Sequence, residues 1–172
     1  MLYLIKGAST LTDIYYIIAF LGTTPIPGDI QTLQNPQPHV TFLADFQVQV
    51  DRETELVFAL ENFAHTVSSF DIKALHESAF GLYQEHRVIE CEKTIEANAL
   101  HTALLNLAES QHLILNQPHY AGKGFKPHVT LSQAPGEPVV GDSVLIRSLT
   151  LVKHNNGLGG DISVLASFHL ED

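Results

Sequence analysis

The tetrapeptide Pro-His-Val-Thr occurs twice in this chain, at Pro38-His39-Val40-Thr41 and at Pro127-His128-Val129-Thr130. Apolar, strand-like sequence follows each copy: Phe42-Leu43-Ala44 after the first, Leu131 and then Ser132 after the second. In a strand, residues i and i+2 point to the same face. Each copy therefore sets an imidazole beside a hydroxyl and turns Val40 or Val129 the other way, toward a core. Two such strands brought together supply two histidines and two hydroxyl donors. Histidine titrates near neutrality, at about 6.5 unperturbed, so one imidazole can act as base while the other acts as acid. The hydroxyls of Thr41 and Thr130 can donate to non-bridging oxygens. This is a complete acid/base set for a phosphodiester: a nucleophile is deprotonated, a leaving alkoxide is protonated, and phosphoryl charge is stabilised. It requires no metal, no cofactor and no covalent intermediate. Which histidine is acid and which is base is not set by the sequence.

A single strand histidine is usually a half-buried residue with a satisfied hydrogen bond. The weight lies in the matched pair. His39 and His128 are 89 positions apart (128 − 39), close to half of the 172 residues. A fold with two similar halves has that spacing.

Other residues fall near the motifs. Lys123 and Lys126, in the glycine-containing approach to the second copy, either bring positive charge to a phosphate or are exposed loop lysines; Lys126 is the closer. Tyr120 and Phe125 offer surfaces for stacking a nucleobase, a contact worth ~1–3 kcal/mol per base in single-strand binders; the alternative for Phe125 is packing beneath the loop. Tyr15 and Tyr16 alternate faces, so one of them can face a cleft. Asp45 either orients a histidine or faces solvent. Gly157-Leu158-Gly159-Gly160 is a turn and not a phosphate-binding loop, because it opens no helix and lacks Lys-Ser/Thr. A metal site is the rival chemistry, since the chain has 10 histidines. It has no His-Glu-x-x-His, no His-x-His and no cysteine cluster, and His101 and Glu109 are wrongly spaced to share an ion. His65, His76, His86, His112, His119, His154 and His169 read as surface or strand-edge residues.

Composition bounds the rest. Apolar residues make up 45% and charged residues 16%, which describes a globular chain. The length suits one domain, residues 1–172, or two closely associated lobes. A net charge of −10 disfavours an extended nucleic-acid surface, but a few local cations can serve a small phosphate substrate. Cys91 is the only cysteine, so a disulfide framework is excluded and a reducing, cytoplasmic setting is expected. The N-terminus has no secretory signal pattern, and the run Ile14–Leu21 is too short to cross a bilayer. A monomer without membrane association is expected.

The elements that must position the motifs follow from periodicity. Residues 2–5 suggest a short strand and Ile14–Leu21 a buried one. Gly22–Gln37, with Pro25, Pro27, Gly28 and Pro36, reads as a loop or as containing only a helical turn. The first motif strand is expected over Pro38–Ala44. A helix is expected over Glu53–Val67 with Asp51 as N-cap. Three short strands follow at Phe70–Leu75, Ala79–Tyr83 and His86–Glu92, then a helix at Thr94–Leu107. His112–Leu115 suggests a strand and Asn116–Lys126 a loop before the second motif strand. Val144–Lys153 and Ile162–Leu170 flank the turn signal Asn155-Asn156-Gly157. Many strands and two helices without βαβ alternation indicate an α+β fold with antiparallel sheets.

Two His-x-Thr motifs in one chain, the lead-in Gly124-Phe125-Lys126-Pro127, the apolar strand before the first motif and a final hairpin ending in Ser163-Val164-Leu165-Ala166-Ser167-Phe168-His169-Leu170 together resemble the 2H phosphoesterase superfamily, particularly its RNA 2′,3′-cyclic phosphodiesterase and 2′-5′ RNA ligase branch. Members commonly carry a longer helical segment where this chain has the short, proline-rich Gly22–Gln37. The resemblance implies two pseudo-symmetric lobes, each an antiparallel sheet flanked by helices, with a central cleft whose floor carries both motifs. It implies catalysis by His39 and His128, with phosphate held by Thr41 and Thr130. The expected activity is metal-independent hydrolysis of a cyclic phosphate or 2′-5′ phosphodiester in a nucleotide or short RNA end. A cyclic oligonucleotide or 2′-5′ oligoadenylate is a further substrate possibility. The alternative is a nucleotide- or phosphate-binding module on the same fold that does not turn its ligand over.

Overall fold

A computed structural model of the chain describes residues 13–31, 37–81, 83–154 and 161–172. The strand expected at residues 2–5 and the turn at Asn155-Asn156-Gly157 lie outside the described residues.

The first apolar run becomes β1 (Ile14–Phe20), and the first motif opens β3 (His39–Gln47). Between them, Ile30–Gln31 forms the two-residue strand β2, in a segment expected to be a loop or to contain only a helical turn. It is recruited by pairing with the final strand, β10 (Ile162–His169). The helix α1 covers Glu53–Ala64 and buries Leu56, Leu60 and Ala64 along one stripe. Its N-cap is Arg52, without a side-chain cap; Asp51, the expected cap, sits in a preceding 3₁₀ turn, Val50–Arg52. The second helix, α2 (Ile95–Ser110), is capped by Thr94, whose Oγ1 accepts from the Ala97 N–H at 3.1 Å.

Two strands expected between the helices are one. β4 runs unbroken from Phe70 to Phe80 before β5 (His86–Cys91). A register shift between Ala74 and His76 disturbs the inside/outside alternation there, so the sequence reads as two pieces. The converse holds near the C-terminus. The single strand expected over Val144–Lys153 is β8 (Ser143–Ile146) and β9 (Ser148–His154), parted at Arg147. β8 pairs with β4, whereas β9 pairs with β1 and β10. The chain thus crosses from one half of the molecule to the other at Arg147, whose guanidinium donates to the Gly22 carbonyl. The short β6 (Ile114–Leu115) adds to the far end of β3, and the second motif is β7 (His128–Thr130).

The pairings give one path of strands, β2-β10-β9-β1-β3-β7-β5-β4-β8, with β6 beside β3. The antiparallel α+β architecture read from the sequence is therefore present. The two half-sheets meet edge to edge at β3 and β7, where Val40 faces Val129. α1 packs on β9 and β10, and α2 on β3. The main core lies beneath these helices and includes Phe42, Phe46, Leu60, Leu104, Ile146 and Leu151. A smaller cluster of Ile18, Phe20, Val152, Ile162 and Val164 explains why central β1 is apolar almost without interruption: both its faces are covered.

Candidate active site

The pairing of Val40 with Val129 decides how the motifs meet. The strands are antiparallel, so extending the register by one residue sets His39 across from Thr130 and Thr41 across from His128. Side chains directly opposite in such a pair share a face, with Cβ atoms about 4.5–5.5 Å apart; diagonal neighbours lie at about 7–8 Å. His39 and His128 are on a diagonal. The two valines point to the opposite face and are wholly buried, at 0% exposure each. The result is a local two-fold arrangement in which each imidazole faces the other motif's hydroxyl.

The rings are held alike. His39 Nδ1–H donates to the Gln37 carbonyl at 2.9 Å, and His128 Nδ1–H to the Lys126 carbonyl at 2.8 Å. A carbonyl can only accept, so Nδ1 carries the proton in both rings. Each Nε2 takes no hydrogen bond among the described residues, and is the atom available for proton transfer. Burial pushes both imidazoles below their ordinary pKa. The backbone carbonyls oppose this shift, and for His39 the nearby His128 adds to it. That contribution of His128 to His39 is the electrostatic sign that the two rings lie near one another across the seam.

A cavity of about 340 Å³ opens beside the seam and is lined by Thr41 and His128 together with Phe80, Tyr120, Lys126 and Asp45, among others. Thr130 is exposed and borders a second depression, whose wall includes His86 and Arg87. His39 is half-buried at the seam, with the Phe20 ring edge-on at 5.8 Å.

The remaining candidates separate. Lys126 is exposed and reaches the cavity wall, whereas Lys123 is exposed on a 3₁₀ turn, Gly122–Gly124, and lines none of the cavities near the motifs. Tyr120 packs on Phe80 at 5.6 Å. Phe125 is only 5% exposed. Its ring lies flat on His101 at 4.0 Å and 7°, so the packing alternative describes it and its covered face cannot stack a base. Of the two tyrosines, Tyr16 faces the cavity; Tyr15 is buried and donates to Glu53 at 2.8 Å.

Asp45 is neither solvent-facing nor bonded to a histidine. It is 4% exposed, takes a left-handed backbone (φ 49°), and accepts from Asn116 Nδ2 at 2.7 Å and Gln117 Nε2 at 2.6 Å. It ties the start of the Asn116–Lys126 loop to β3. His154, expected at an edge, is 7% exposed, packs on Tyr16 at 5.0 Å, and is lowered in pKa by burial. His101 is also buried. Its Nδ1–H donates to the Phe42 carbonyl and its Nε2 accepts from the Gly122 N–H, both at 2.8 Å. Among the described residues no three His, Cys, Asp or Glu side chains are grouped to hold a metal ion, and no helix is long and apolar enough to cross a membrane.

Two neighbours of the motifs were missed in the sequence. Phe80 stacks on the His128 ring at 4.3 Å and 29°. Glu90 stands directly across from His128 on β5. Strand register is long-range information, and nothing local in either segment signals these contacts.

No protein-family model matches the chain, and no curated protein matches it in sequence. Solved structures do match in three dimensions. A structure described as a phosphoesterase aligns over 94% of this chain and 99% of its own, with TM-score 0.59 and 18% identity. E. coli LigT complexed with 3′-AMP aligns over the same shares, with TM-score 0.59 and 15% identity. The protein TT0787 of Thermus thermophilus aligns over 91% and 97%, with TM-score 0.62 and 18% identity. The likeness read from the two motifs thus extends to nearly the whole backbone, and the chain has the LigT-like phosphoesterase fold.

Proposed function

We propose that this protein is a metal-independent phosphodiesterase of the 2H type, opening a cyclic phosphate or cleaving a 2′-5′ linkage in a nucleotide or short RNA end. The observation that carries this reading is the Val40–Val129 register, which gathers two imidazoles and two hydroxyls on one face from opposite halves of the chain. In hydrolysis of a 2′,3′-cyclic phosphate, one neutral Nε2 takes a proton from water as its oxygen bonds to phosphorus. The protonated Nε2 across the diagonal gives its proton to the ribose oxygen as the P–O bond breaks. Thr41 and Thr130 donate to the non-bridging oxygens, where charge accumulates, and Lys126 adds positive charge at the cavity wall. In this reading the nucleoside enters the 340 Å³ cavity beside His128 and Thr41, with Tyr120 and Phe80 along it. That LigT has been seen with 3′-AMP supports a small nucleotide ligand. The net charge of −10 favours such a ligand over a long nucleic acid. The protein acts as a cytoplasmic monomer in this reading.

The test is a panel of 2′,3′-cyclic mononucleotides and 2′-5′ dinucleotides, read by mass, with chelator present. Turnover with a bell-shaped pH profile is expected, falling by ~10²–10⁴-fold in His39→Ala and in His128→Ala. Undiminished turnover in either variant overturns the acid/base assignment. Tight nucleotide binding with no product across the panel points instead to a binding module.

A further inference from the structure

We propose that the two imidazoles are not interchangeable: His128 holds the proton and is the general acid, His39 is the general base, and Glu90 is the positioning residue that divides the roles. This rests on the phosphodiesterase reading above and deepens it.

Local geometry does not distinguish the rings, because each Nδ1–H is bonded to the carbonyl two residues earlier. Their inner neighbours are also alike, each a threonine of the other motif. The outer neighbours differ. On β1, the residue directly across from His39 is Phe20, 3% exposed and with its ring edge-on. On β5, the residue directly across from His128 is Glu90. One histidine is flanked by hydrocarbon and the other by a carboxylate.

That carboxylate is held in place. Glu90 Oε1 accepts from Ser78 Oγ at 2.7 Å, its Oε2 lies 3.8 Å from His76 Nε2, and its side chain is only 25% exposed. A partly desolvated carboxylate on the same face stabilises an imidazolium more than an exposed one does. Phe80 acts in the same direction, since it stacks on His128 at 4.3 Å and an aromatic face favours a cation above it. The charged and titratable groups around His128 are Glu90 and His86 on β5, His39 across the seam, and Lys126 in its own lead-in. Glu90 favours the charged form and outweighs His86, which opposes it. Around His39 the nearby charge is that of His128, which disfavours a second positive ring. With one proton to share between them, the pair keeps it on His128. Water is then activated at His39 Nε2, and the leaving ribose oxygen takes its proton from His128 Nε2.

The test is Glu90→Gln, read in two ways. The first readout is the pH profile of kcat/KM for a 2′,3′-cyclic mononucleotide. Loss of the carboxylate should move the alkaline limb down by about half to one pH unit while the acid limb stays in place. Phe80→Leu should move the same limb in the same direction. Movement of the acid limb alone, or a uniform loss with unchanged shape, overturns the assignment. The second readout is proton NMR titration of the two imidazoles in the unliganded protein. The His128 midpoint should lie above that of His39 and fall in Glu90→Gln, with His39 unmoved or slightly raised. Equal midpoints, or a higher one for His39, overturn it. The titration decides where the proton resides even if no substrate is turned over, so failure of this inference is distinguishable from failure of the phosphodiesterase reading.

Discussion

His101 joins the fold to the site, and replacing it has a calculable cost. The side chain is 2% exposed. It bridges the Phe42 carbonyl, next to Thr41, and the Gly122 N–H, in the loop whose Tyr120, Ala121 and Gly124 line the cavity. His101→Ala leaves both groups without a partner, at about 1–3 kcal/mol each. It also removes the flat contact with Phe125, worth about 0.5–1.5 kcal/mol. The total, about 2.5–7.5 kcal/mol, is a large share of a domain stability of about 5–15 kcal/mol. For a chain of this length, about 2–4 °C of Tm is lost per kcal/mol, so a fall of about 5–30 °C is expected at pH 7.5.

The effect depends on pH with a definite sign. Burial lowers the His101 pKa; the Phe42 carbonyl opposes this and Lys93 adds to it. A protonated Nε2–H would face the Gly122 N–H, donor against donor. Because the folded pKa lies below the unfolded value of about 6.5, this stabilisation is complete above pH 6.5. It is lost as pH falls toward the folded value, by up to about 1.4 kcal/mol per unit. The gap between parent and variant should therefore narrow at pH 5.5. The assay is thermal or urea unfolding of both proteins at the two pH values. A Tm loss under 2 °C at pH 7.5, or a gap that does not narrow at pH 5.5, would refute the neutral bridging role.

Other expectations concern separate parts of the molecule. Thr41→Val and Thr130→Val remove a hydroxyl donor with little change of volume, and should lower kcat by ~10²–10³-fold at unchanged Tm. A loss under threefold in steady-state turnover would show that the hydroxyls do not meet the transition state. Asp45→Ala removes the acceptor of the exposed Asn116 and Gln117 amides and should cost about 1–3 kcal/mol, the net worth of two hydrogen bonds. Asn116 N–H, bonded to the Asp45 carbonyl, should then exchange faster with deuterium; unchanged exchange would place the anchor elsewhere. The Cys91 thiol is buried and pushed up to about 11, so a thiol reagent at pH 8 should label it only on unfolding. Rapid labelling of the folded protein would contradict that burial.

What could be read in the sequence was what local periodicity writes. The His-Val-Thr triplets carry their own face assignment, because alternation needs no knowledge of the partner strand. α1 and α2 announce their buried stripes at i, i+4 spacing. The failures share one cause. β4 lost its alternation at a bulge, and β8 and β9 read as one strand because nothing local says that a chain changes partners at Arg147. Asp45 and His154 looked like surface residues because their burial depends on Asn116, Gln117 and Tyr16, all far off in sequence or across the sheet. Glu90 became a site residue only once the register placed it across from His128, and Phe80 only once the fold stacked its ring on that imidazole.

The two-fold arrangement at Val40 and Val129 has one more consequence. A symmetric homodimer built on this same strand would generate two imidazoles and two hydroxyls from a single motif, but its rings would be obliged to be identical. Both would titrate together, and no stable division of labour would be possible. Covalent continuity between the halves removes that obligation. One half can place Phe20 where the other places Glu90, so an asymmetry of proton affinity becomes something that substitution can tune.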